Sequence, residues 1–405
     1  MDSSKKNTPA QVEVADLFRQ FGPAYRESHP LPMRMLKTMS AIERCRTAAL
    51  GGHVEQCDVC GHIRISYNSC RNRHCPKCQS LVKERWLAAR KRDLLPVEYF
   101  HIVFTIPDLL NPLALRNQRV VYNLLFKAAS EALLTLSKDP KHLGAEIGFI
   151  SILHTWGQNL MDHPHLHCLV PGGGLSLKGQ RWISSRGGFF IPVKVLSRLF
   201  RGKFLFYLKE AYRGGKLKFV GEIRSLGDTR KFQMMMDQLY RKHWVIYCKP
   251  PFQSAQYVIE YLGRYTHRVA ISNNRMVKVE QEKVTFSWRD YKDGNKNKQM
   301  TVDAFEFIRR FLLHILPDNF VKIRHYGLLS NRNRKTKLRR CQKILGSTSN
   351  GKQQSTESEG WEELLFELTG IDPRICPCCK KGQMIAREIL SPQGHAPPRK
   401  VRWVA

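Results

Sequence analysis

The stretch HPHLHCLVPGGG, residues 163–174, places a histidine at every second position and then ends on three glycines. Alternate side chains of a β-strand lie on one face of the sheet, so a strand here presents His165 and His167 together. Pro164 has no backbone N–H and therefore belongs at the start of a strand or at a sheet edge. The glycines predict a strand end that another backbone or a ligand can approach closely. The pattern thus predicts a strand with two imidazoles on one face.

The neighbouring segments predict an α+β domain. YFHIVFTIP (99–107) is a run of β-branched and aromatic residues that ends at a proline, which is typical of a buried strand. The stretch 111–140 predicts one long helix, and IGFISILHTW (147–156) predicts a second strand. Strand, helix, strand and strand in this order indicate an antiparallel sheet flanked by helices.

Other segments differ from this domain in composition. Apolar residues recur at helical spacing in VADLFRQFGPAY and MRMLKTMSAIERCRTAAL, which predicts a helical leader over residues 1–50. Further helices are predicted at 79–96, 225–245, 253–268 and 302–316. The polar stretch GSTSNGKQQSTESEG predicts a flexible linker. We therefore expect four parts: a leader and cysteine-rich domain at 1–95, the sheet domain at 96–345, the linker at 346–360 and a small C-terminal segment at 361–405.

The charge of the chain indicates a polyanionic partner. Lys and Arg number 67 against 34 Asp and Glu among 405 residues, so the net charge is +33. Such an excess repels itself unless a polyanion neutralises it, which predicts nucleic acid, with a merely basic soluble protein as the alternative. No run of about 18 apolar residues and no signal peptide occurs, so we expect no membrane span and a reducing cytosol. Twelve cysteines then indicate metal binding rather than disulfides.

The cysteine-rich segment CDVCGHIRISYNSCRNRHCPKC contains two pairs with C-x2-C spacing. Each pair can present two thiolates to one ion, and two pairs complete a tetrahedral zinc site. The spacing predicts one structural zinc ion held by Cys57, Cys60, Cys75 and Cys78. Cys70 and His74 are possible substitutes for one ligand, and Arg71 and Arg73 are placed to contact DNA.

A second group of cysteines, Cys376, Cys378 and Cys379, lies near the C-terminus. One C-x2-C pair needs two more ligands, and only His395 is nearby in the sequence. A half-site, a reactive surface cluster and a bound zinc ion therefore stay equally open.

The histidine strand needs a third ligand if it binds a metal. His154 ends the preceding predicted strand, and it reaches the same ion if residues 148–156 and 163–170 are antiparallel neighbours. His163 and His101 are the alternatives for this position. A packed or solvated histidine pair without a metal is the other explanation of the pattern.

Three tyrosines follow one another at intervals of four residues in QYVIEYLGRYTHRVAIS. On a helix Tyr257, Tyr261 and Tyr265 lie on one face, roughly 6 Å apart along the axis. A core aromatic stripe is the ordinary explanation of such spacing. Arg264 and Arg268 accompany the rings, however, and positive charge favours the phenolate that attacks a phosphate.

The order of these motifs resembles the two-tyrosine rolling-circle transposases of the insertion-sequence ninety-one family, which are HUH endonucleases. The resemblance covers about residues 20–345 and rests on the segments SCRNRHCPKCQ, FTIP, HTWGQNL, HPHLHCLVPGGG, YLGRYTHRVAIS and RHYGLLSNRNR. It implies a HUH-like antiparallel sheet flanked by helices, preceded by a helical and four-cysteine zinc-binding module.

The resemblance also implies a chemistry. One Mg²⁺ or Mn²⁺ ion is held by three imidazoles: His154, His165 and His167. Tyr261 and Tyr265 attack DNA phosphates in place of water, which gives a 5′-phosphotyrosine and a free 3′-OH, and Tyr257 is the fallback nucleophile. Because imidazole ligands alone are soft for magnesium, the carboxylate of Asp162 is a further candidate ligand.

The implied function is strand transfer at single-stranded element ends and their target, with DNA contacts from Arg71, Arg73, Arg264 and Arg268. The sequence holds no Walker-type loop, so a host helicase would separate the strands. We expect the protein in the bacterial cytoplasm, on the nucleoid when bound. A plasmid replication initiator or relaxase is one alternative. A non-enzymatic zinc-dependent nucleic-acid-binding protein is the other.

Overall fold

The computed structural model describes residues 12–186, 190–252, 257–258, 263, 269–290, 293–346 and 361–393. These residues form two compact units, each assembled from separate parts of the chain. The first unit takes its described residues from 1–85, 267–315 and 350–405, and the second from 86–266 and 316–349. None of the helices in the described ranges is long and apolar enough to span a membrane.

The helices and strands are numbered in chain order. The α-helices are α1 Val14–Ser28, α2 Met33–Arg44, α3 Gln79–Lys91, α4 Asn111–Arg116, α5 Gln118–Lys138, α6 Val193–Arg213, α7 Thr229–Arg241, α8 Ala304–Leu313, α9 Asn331–Asn333, α10 Arg339–Ile344 and α11 Trp361–Thr369. The strands are β1 Gly52–Cys57, β2 Ile63–Tyr67, β3 Tyr99–Thr105, β4 Ala145–Glu146, β5 Gly148–Trp156, β6 Asp162–Pro171, β7 Gly173–Ser176, β8 Trp182–Ser184, β9 Ile246–Phe252, β10 Met276–Glu280, β11 Lys283–Asp290, β12 Lys296–Asp303, β13 Ile323–Gly327 and β14 Met384–Leu390. A π-helical turn, Arg334–Leu338, lies between α9 and α10.

The second unit is built on a five-stranded sheet in the order β13–β5–β6–β3–β9. All four strand pairs are antiparallel. One face carries the main apolar core, in which Phe104 of β3 packs edge-on against Phe200 of α6 with ring centroids 5.0 Å apart. The opposite face carries a smaller cluster that includes Ile152 and Leu169. The predicted α+β fold with an antiparallel sheet and flanking helices is confirmed.

The first unit contains two three-stranded sheets, ordered β14–β1–β2 and β10–β11–β12. Helix α8 packs on the second of these sheets, where the rings of Phe286 and Phe307 lie 5.7 Å apart. Phe311, on the same helix, meets Phe18 of α1 at 5.2 Å. The described part of 267–315 thus belongs to the first unit, although it was predicted to lie in the sheet domain. The segment that contains β14 also belongs to the first unit, although it was predicted to be a separate C-terminal segment.

Most predicted elements are present, and one differs. The stretch 111–140, predicted as one helix, forms α4 and α5 with a break at Asn117. At Asn117 the backbone leaves the helical region, with φ −128° and ψ 38°. Its side-chain amide exchanges two hydrogen bonds with the backbone of Lys218, at 3.0 and 2.7 Å. The break therefore coincides with a tertiary contact, and helical periodicity in the sequence could not predict it. Most of the helix predicted at 253–268 lies outside the described residues.

Two glycines allow β13 to pair with β5. Gly327 has φ +56°, a conformation that L side chains rarely adopt, and a Cβ there would collide with the carbonyl oxygen of Ile147. Its partner across the ladder is Gly148, where a Cβ would lie 2.6 Å from the backbone nitrogen of Leu329. Neither neighbour can move, because both atoms belong to the backbone. The edge of the sheet therefore requires glycine at both positions.

We predict that Gly327→Ala destabilises the protein by about 1–3 kcal/mol, since it adds strain at a positive φ and a backbone collision. Gly202→Ala is the matched control. Gly202 lies inside α6, where an added methyl group would meet nothing within 4 Å, so alanine should stabilise that helix by about 0.5–1 kcal/mol. Thermal unfolding followed by circular dichroism measures both changes. Equal melting temperatures for wild type and Gly327→Ala would contradict the argument.

Candidate metal sites

Four thiols come together at the C-terminal end of helix α2, where Cys45 caps the helix. We call them the first cysteine cluster: Cys45, Cys70, Cys75 and Cys78. The sulfur of Cys78 lies 3.4 Å from that of Cys45 and 3.6 Å from that of Cys70. Zinc–sulfur bonds of about 2.3 Å in a tetrahedron separate neighbouring sulfurs by about 3.8 Å. The spacing and the donor chemistry therefore fit one tetrahedral ion.

The electrostatics of this cluster also favour a cation. Hydrogen bonds from the other three thiols, led by that of Cys45, lower the pKa of Cys78 far below its usual range. The hydrogen bonds of Cys75 with Cys45, and then with Cys70 and Cys78, raise the pKa of Cys75. Four thiols at this distance must share protons, because several thiolates would repel one another. A bound divalent cation removes that repulsion and takes the place of the shared protons.

A second cysteine cluster consists of Cys57, Cys60, Cys376 and Cys379. Its sulfurs lie 3.6 Å apart between Cys57 and Cys379, and 3.7 Å apart between Cys60 and Cys376. The C-terminal C-x2-C pair, Cys376 and Cys379, is thus completed by two cysteines from the N-terminal part of the chain, Cys57 and Cys60. Cys378 is exposed and takes no part in the cluster.

This arrangement corrects the prediction of one zinc site formed by two C-x2-C pairs. Cys57 and Cys60 lie in the second cysteine cluster, whereas Cys75 and Cys78 lie in the first. The β1–β2 hairpin separates them. Cys57 and Cys60 lie at its turn, whereas Cys70 follows the other end of β2. Five paired residues at about 3.4 Å each hold the two ends roughly 17 Å apart, which is far beyond the reach of one ion. Sequence reasoning also missed Cys45, whose helical context concealed it.

The arginines predicted to bind DNA have different surroundings. Arg71 is exposed next to the first cysteine cluster, and its backbone N–H helps to lower the pKa of Cys78. Arg73 is half-buried. Arg264 and Arg268 lie outside the described residues.

A third group of ligand atoms lies on the five-stranded sheet, and we call it the histidine cluster: His154, His165 and His167. Its nitrogen atoms all lie within 4.8 Å of one another. His154 of β5 stands directly opposite His165 of β6, as expected if these strands are antiparallel neighbours. All three side chains are buried, with exposed fractions of 3%, 9% and 9%. The fold thus brings together the three histidines named from the sequence.

The hydrogen bonds of these rings orient two nitrogens toward each other. His165 donates from Nδ1 to the carbonyl oxygen of His163 at 2.6 Å, because a carbonyl can only accept. Its Nε2 therefore carries a lone pair, and this atom lies 3.1 Å from Nε2 of His167. Nε2 of His167 can donate a proton to this lone pair as an ordinary N–H···N hydrogen bond, and a divalent ion in place of that proton would be bound by both nitrogens. The donor set fits a divalent cation.

His101 supports the cluster from the adjacent strand β3. Its Nε2 lies 2.8 Å from Nδ1 of His167, so it contacts the ring atom that points away from His165. Burial, together with the smaller effects of Lys249 and His165, lowers the pKa of His101 to about 3. A neutral His101 can orient His167 through this hydrogen bond. It is a hydrogen-bond partner of His167 and not a member of the histidine cluster, although it was an alternative for the third ligand.

Asp162, the candidate carboxylate, does not join the histidine cluster. It begins β6 opposite Trp156, and the register of β5 and β6 shifts between this pair and the pair His154–His165, so the period-two alternation does not carry over from His165 to Asp162. Burial raises the pKa of Asp162 to about 7. Its carboxylate oxygens are not among the ligand atoms that lie within 4.8 Å of one another in the histidine cluster.

Only part of the tyrosine segment can be described. Tyr261 and Tyr265 lie outside the described residues. Tyr257 is 61% exposed, and its neighbour Val258 is fully buried. Val258 belongs to the apolar cluster that contains Ile152, which lies opposite His167 in the ladder. The segment is thus anchored, at this residue, on the face of the sheet that carries the histidines.

Comparison with known proteins finds relatives over most of the chain. "Putative transposase y4qJ" of Sinorhizobium fredii (strain NBRC 101917 / NGR234) is 52% identical over 379 residues, which cover 93% of this chain and 95% of that protein. A family described as "Putative transposase" matches residues 148–337. The chain belongs to this family of transposases. A transposase processes DNA, and DNA is therefore its substrate.

A more distant relative and a second family match agree with this membership. "Transposase for insertion sequence element IS801" of Pseudomonas savastanoi pv. phaseolicola is 26% identical over 306 residues, which cover 73% of this transposase and 70% of that protein. A family described as "Transposase zinc-binding domain" matches residues 17–106. This range contains the whole first cysteine cluster, whose sulfur spacing fits a structural zinc ion. No solved structure matches the chain.

We predict that His101→Ala weakens Mn²⁺ binding by about 10–100-fold, because loss of a hydrogen bond to a ligand leaves the ligand ring free to rotate. His101→Gln, whose side-chain amide can still bond to His167, should restore part of this affinity. Isothermal titration of the zinc-loaded transposase with Mn²⁺ measures the change. If both variants bind Mn²⁺ as wild type does while their melting temperatures fall, His101 serves only to fill space.

Proposed function

We propose that this transposase nicks and rejoins single-stranded DNA at element ends through a 5′-phosphotyrosine intermediate, with a divalent metal ion, in rolling-circle transposition. The observation that carries the proposal is the histidine cluster, in which three buried imidazoles converge on one face of a sheet. The convergence of three ligand nitrogens within 4.8 Å of one another, with two Nε2 atoms 3.1 Å apart, supports a ligand site over a packing motif. The anchoring of Val258 on that face supports a nearby tyrosine helix.

The chain's own residues have separate roles in this reaction. His154, His165 and His167 hold the ion, which when bound polarises the scissile phosphate and stabilises its developing charge. The hydroxyl oxygen of Tyr261 attacks the phosphorus atom while the bond to the 3′-oxygen breaks, and the proton that the tyrosine loses passes by way of solvent to the 3′-oxygen, which leaves as a hydroxyl. Tyr265, four positions further along the chain, would perform a second transfer in the same way. The covalent ester conserves the energy of the phosphodiester, so rejoining needs no nucleotide cofactor.

Positive charge supplies the affinity for DNA in this proposal. The net charge of +33 neutralises phosphates and releases counterions regardless of DNA sequence. Exposed Arg71, beside the first cysteine cluster, is available to a phosphate, and Arg264 and Arg268 would contact DNA close to the tyrosines. Strand separation is left to a host helicase. We place the transposase in the bacterial cytoplasm, on the nucleoid when it is bound.

Removal of the tyrosine hydroxyls tests the nucleophiles. We expect the Tyr261→Phe/Tyr265→Phe variant to form no covalent adduct with a single-stranded element end in Mn²⁺, because no attacking oxygen remains. Tyr257→Phe is the matched control and should form the adduct normally. Denaturing electrophoresis detects the adduct, and mass spectrometry locates the modified tyrosine. An adduct formed by the double variant would exclude these nucleophiles, and an adduct mapped to Tyr257 would move the site by one turn.

Replacement of single ligands tests the histidine cluster. We expect His165→Ala and His167→Ala each to lower cleavage by at least about 10²-fold, the loss typical of removing a charge-stabilising group. DNA binding should change little, since the basic surface supplies it. His243→Ala, at an exposed position outside the cluster, is the control and should cleave normally. If either cluster variant nicks DNA at the wild-type rate, a non-enzymatic role for the histidines is favoured.

A further inference from the structure

The second cysteine cluster joins two parts of the chain that are far apart in sequence. Cys60 and Cys376 are separated by 316 positions, yet their sulfurs lie 3.7 Å apart. The matched zinc-binding domain ends at residue 106, so half of this cluster lies outside it. We propose that the cluster binds a second structural zinc ion, which fixes the C-terminal strand β14 to the zinc-binding domain.

The donor chemistry fits a single zinc ion. Two C-x2-C pairs face each other, and backbone N–H groups point at their sulfurs. Val59 and Cys60 donate to Cys57 Sγ at 3.4 and 3.5 Å, and Gly382 donates to Cys379 Sγ at 3.3 Å. These bonds stabilise negative charge on sulfur. All four sulfurs lie within 4.8 Å of one another, which suits one ion, whereas a polynuclear iron–sulfur cluster distributes its ligands over different iron atoms.

The backbone is shaped for close approach at this point. A Cβ on Gly382 would collide with Cys57 Sγ and lie 2.6 Å from Asp58 Oδ1. Gln383 donates its backbone N–H to that carboxylate oxygen at 2.8 Å, and its own carbonyl accepts from the N–H of Asp58 at 3.1 Å. The turn that carries Cys57 and Cys60 therefore packs directly against the turn that carries Cys376 and Cys379. A side chain at position 382 would push these two turns apart.

Apolar burial cannot hold β14 in place. The strand pairs with β1 from Gly52 to Cys57, which makes β1 the central strand of its sheet. Yet five of its seven residues are exposed, and Ile389 is 85% exposed. Main-chain hydrogen bonds alone rarely keep an exposed edge strand ordered. A metal ion at the end of the strand supplies the missing free energy, as it does in small domains that fold only with metal.

This arrangement has a consequence for the zinc-binding domain. A chain that ends before Cys376 lacks two of the four ligands and leaves one edge of β1 unpaired. The domain is therefore completed only after the C-terminal segment has been synthesised. The proposal does not depend on the nicking chemistry, so either can fail without the other.

Metal content is the direct test. The wild-type transposase should contain about two zinc ions per chain, one for each set of four thiolates, and Cys376→Ser/Cys379→Ser about one. Cys378→Ser, which changes the exposed thiol between these ligands, should keep both ions. Cys45→Ser/Cys70→Ser should lose only the other ion. A wild type with one zinc ion, or a Cys376→Ser/Cys379→Ser variant that keeps two, would overturn the proposal.

A second measurement does not depend on how well a variant folds. A protease site introduced between Gly346 and Trp361 allows the full-length, zinc-loaded protein to be cut after purification. The C-terminal fragment should remain bound during gel filtration and should be released by a zinc chelator. The same cut in the Cys378→Ser background should leave the fragment bound. The proposal would be contradicted if the wild-type fragment were released while both zinc ions were still bound. It would also be contradicted if the fragment stayed bound after the chelator had removed the zinc.

Discussion

The antiparallel pairing of β5 with β6 is the interaction on which the rest of the second unit depends. Main-chain hydrogen bonds between these strands set His154 opposite His165 and Ile152 opposite His167. Because side chains alternate with a period of two, a shift of one residue would turn the imidazoles into the apolar core and expose Leu166. Both changes cost free energy, so burial on the other face of the sheet fixes the register. Burial of the apolar side chains on the opposite face of the sheet thus determines the position of the histidine cluster.

The sheet also explains why these ligands can be held precisely. The apolar side chains of α5 and α6 fill one face at close packing, so the strands beneath cannot drift. On the opposite face, His101 bonds to the outer nitrogen of His167 and the backbone of His163 bonds to His165. Ligands on rigid strands with supporting hydrogen bonds need little reorganisation when a metal binds. This property suits a transposase in which a phosphate must meet a nucleophile in a defined geometry.

The zinc-binding domain uses a different physical means. Its hairpin carries one cysteine cluster at each end, and the strand β14 exposes most of its side chains. With zinc bound to both clusters, as we propose, order here comes from sulfur ligands and main-chain hydrogen bonds more than from a large apolar core. Ligand sites of this kind can recruit residues from anywhere in the chain, because the entropic cost of closing a loop grows only slowly with its length. The five-stranded sheet also recruits a distant segment, β13, but it does so through a whole strand and not through a single side chain.

The sequence by itself determined features of the histidine-bearing sheet whose cause is local. The alternation of HPHLHC predicted a strand with paired imidazoles, and the run YFHIVFTIP predicted its neighbour. The family resemblance, carried by the order of the motifs, indicated a transposase from the residues alone. Only the tertiary structure decided which cysteines meet, because a C-x2-C pair specifies two ligands and is silent on the other two. Cys45 and Cys376 reach their clusters through strand pairing and chain reversal. The helix break at Asn117 was hidden for the same reason, since its partner lies 101 residues away.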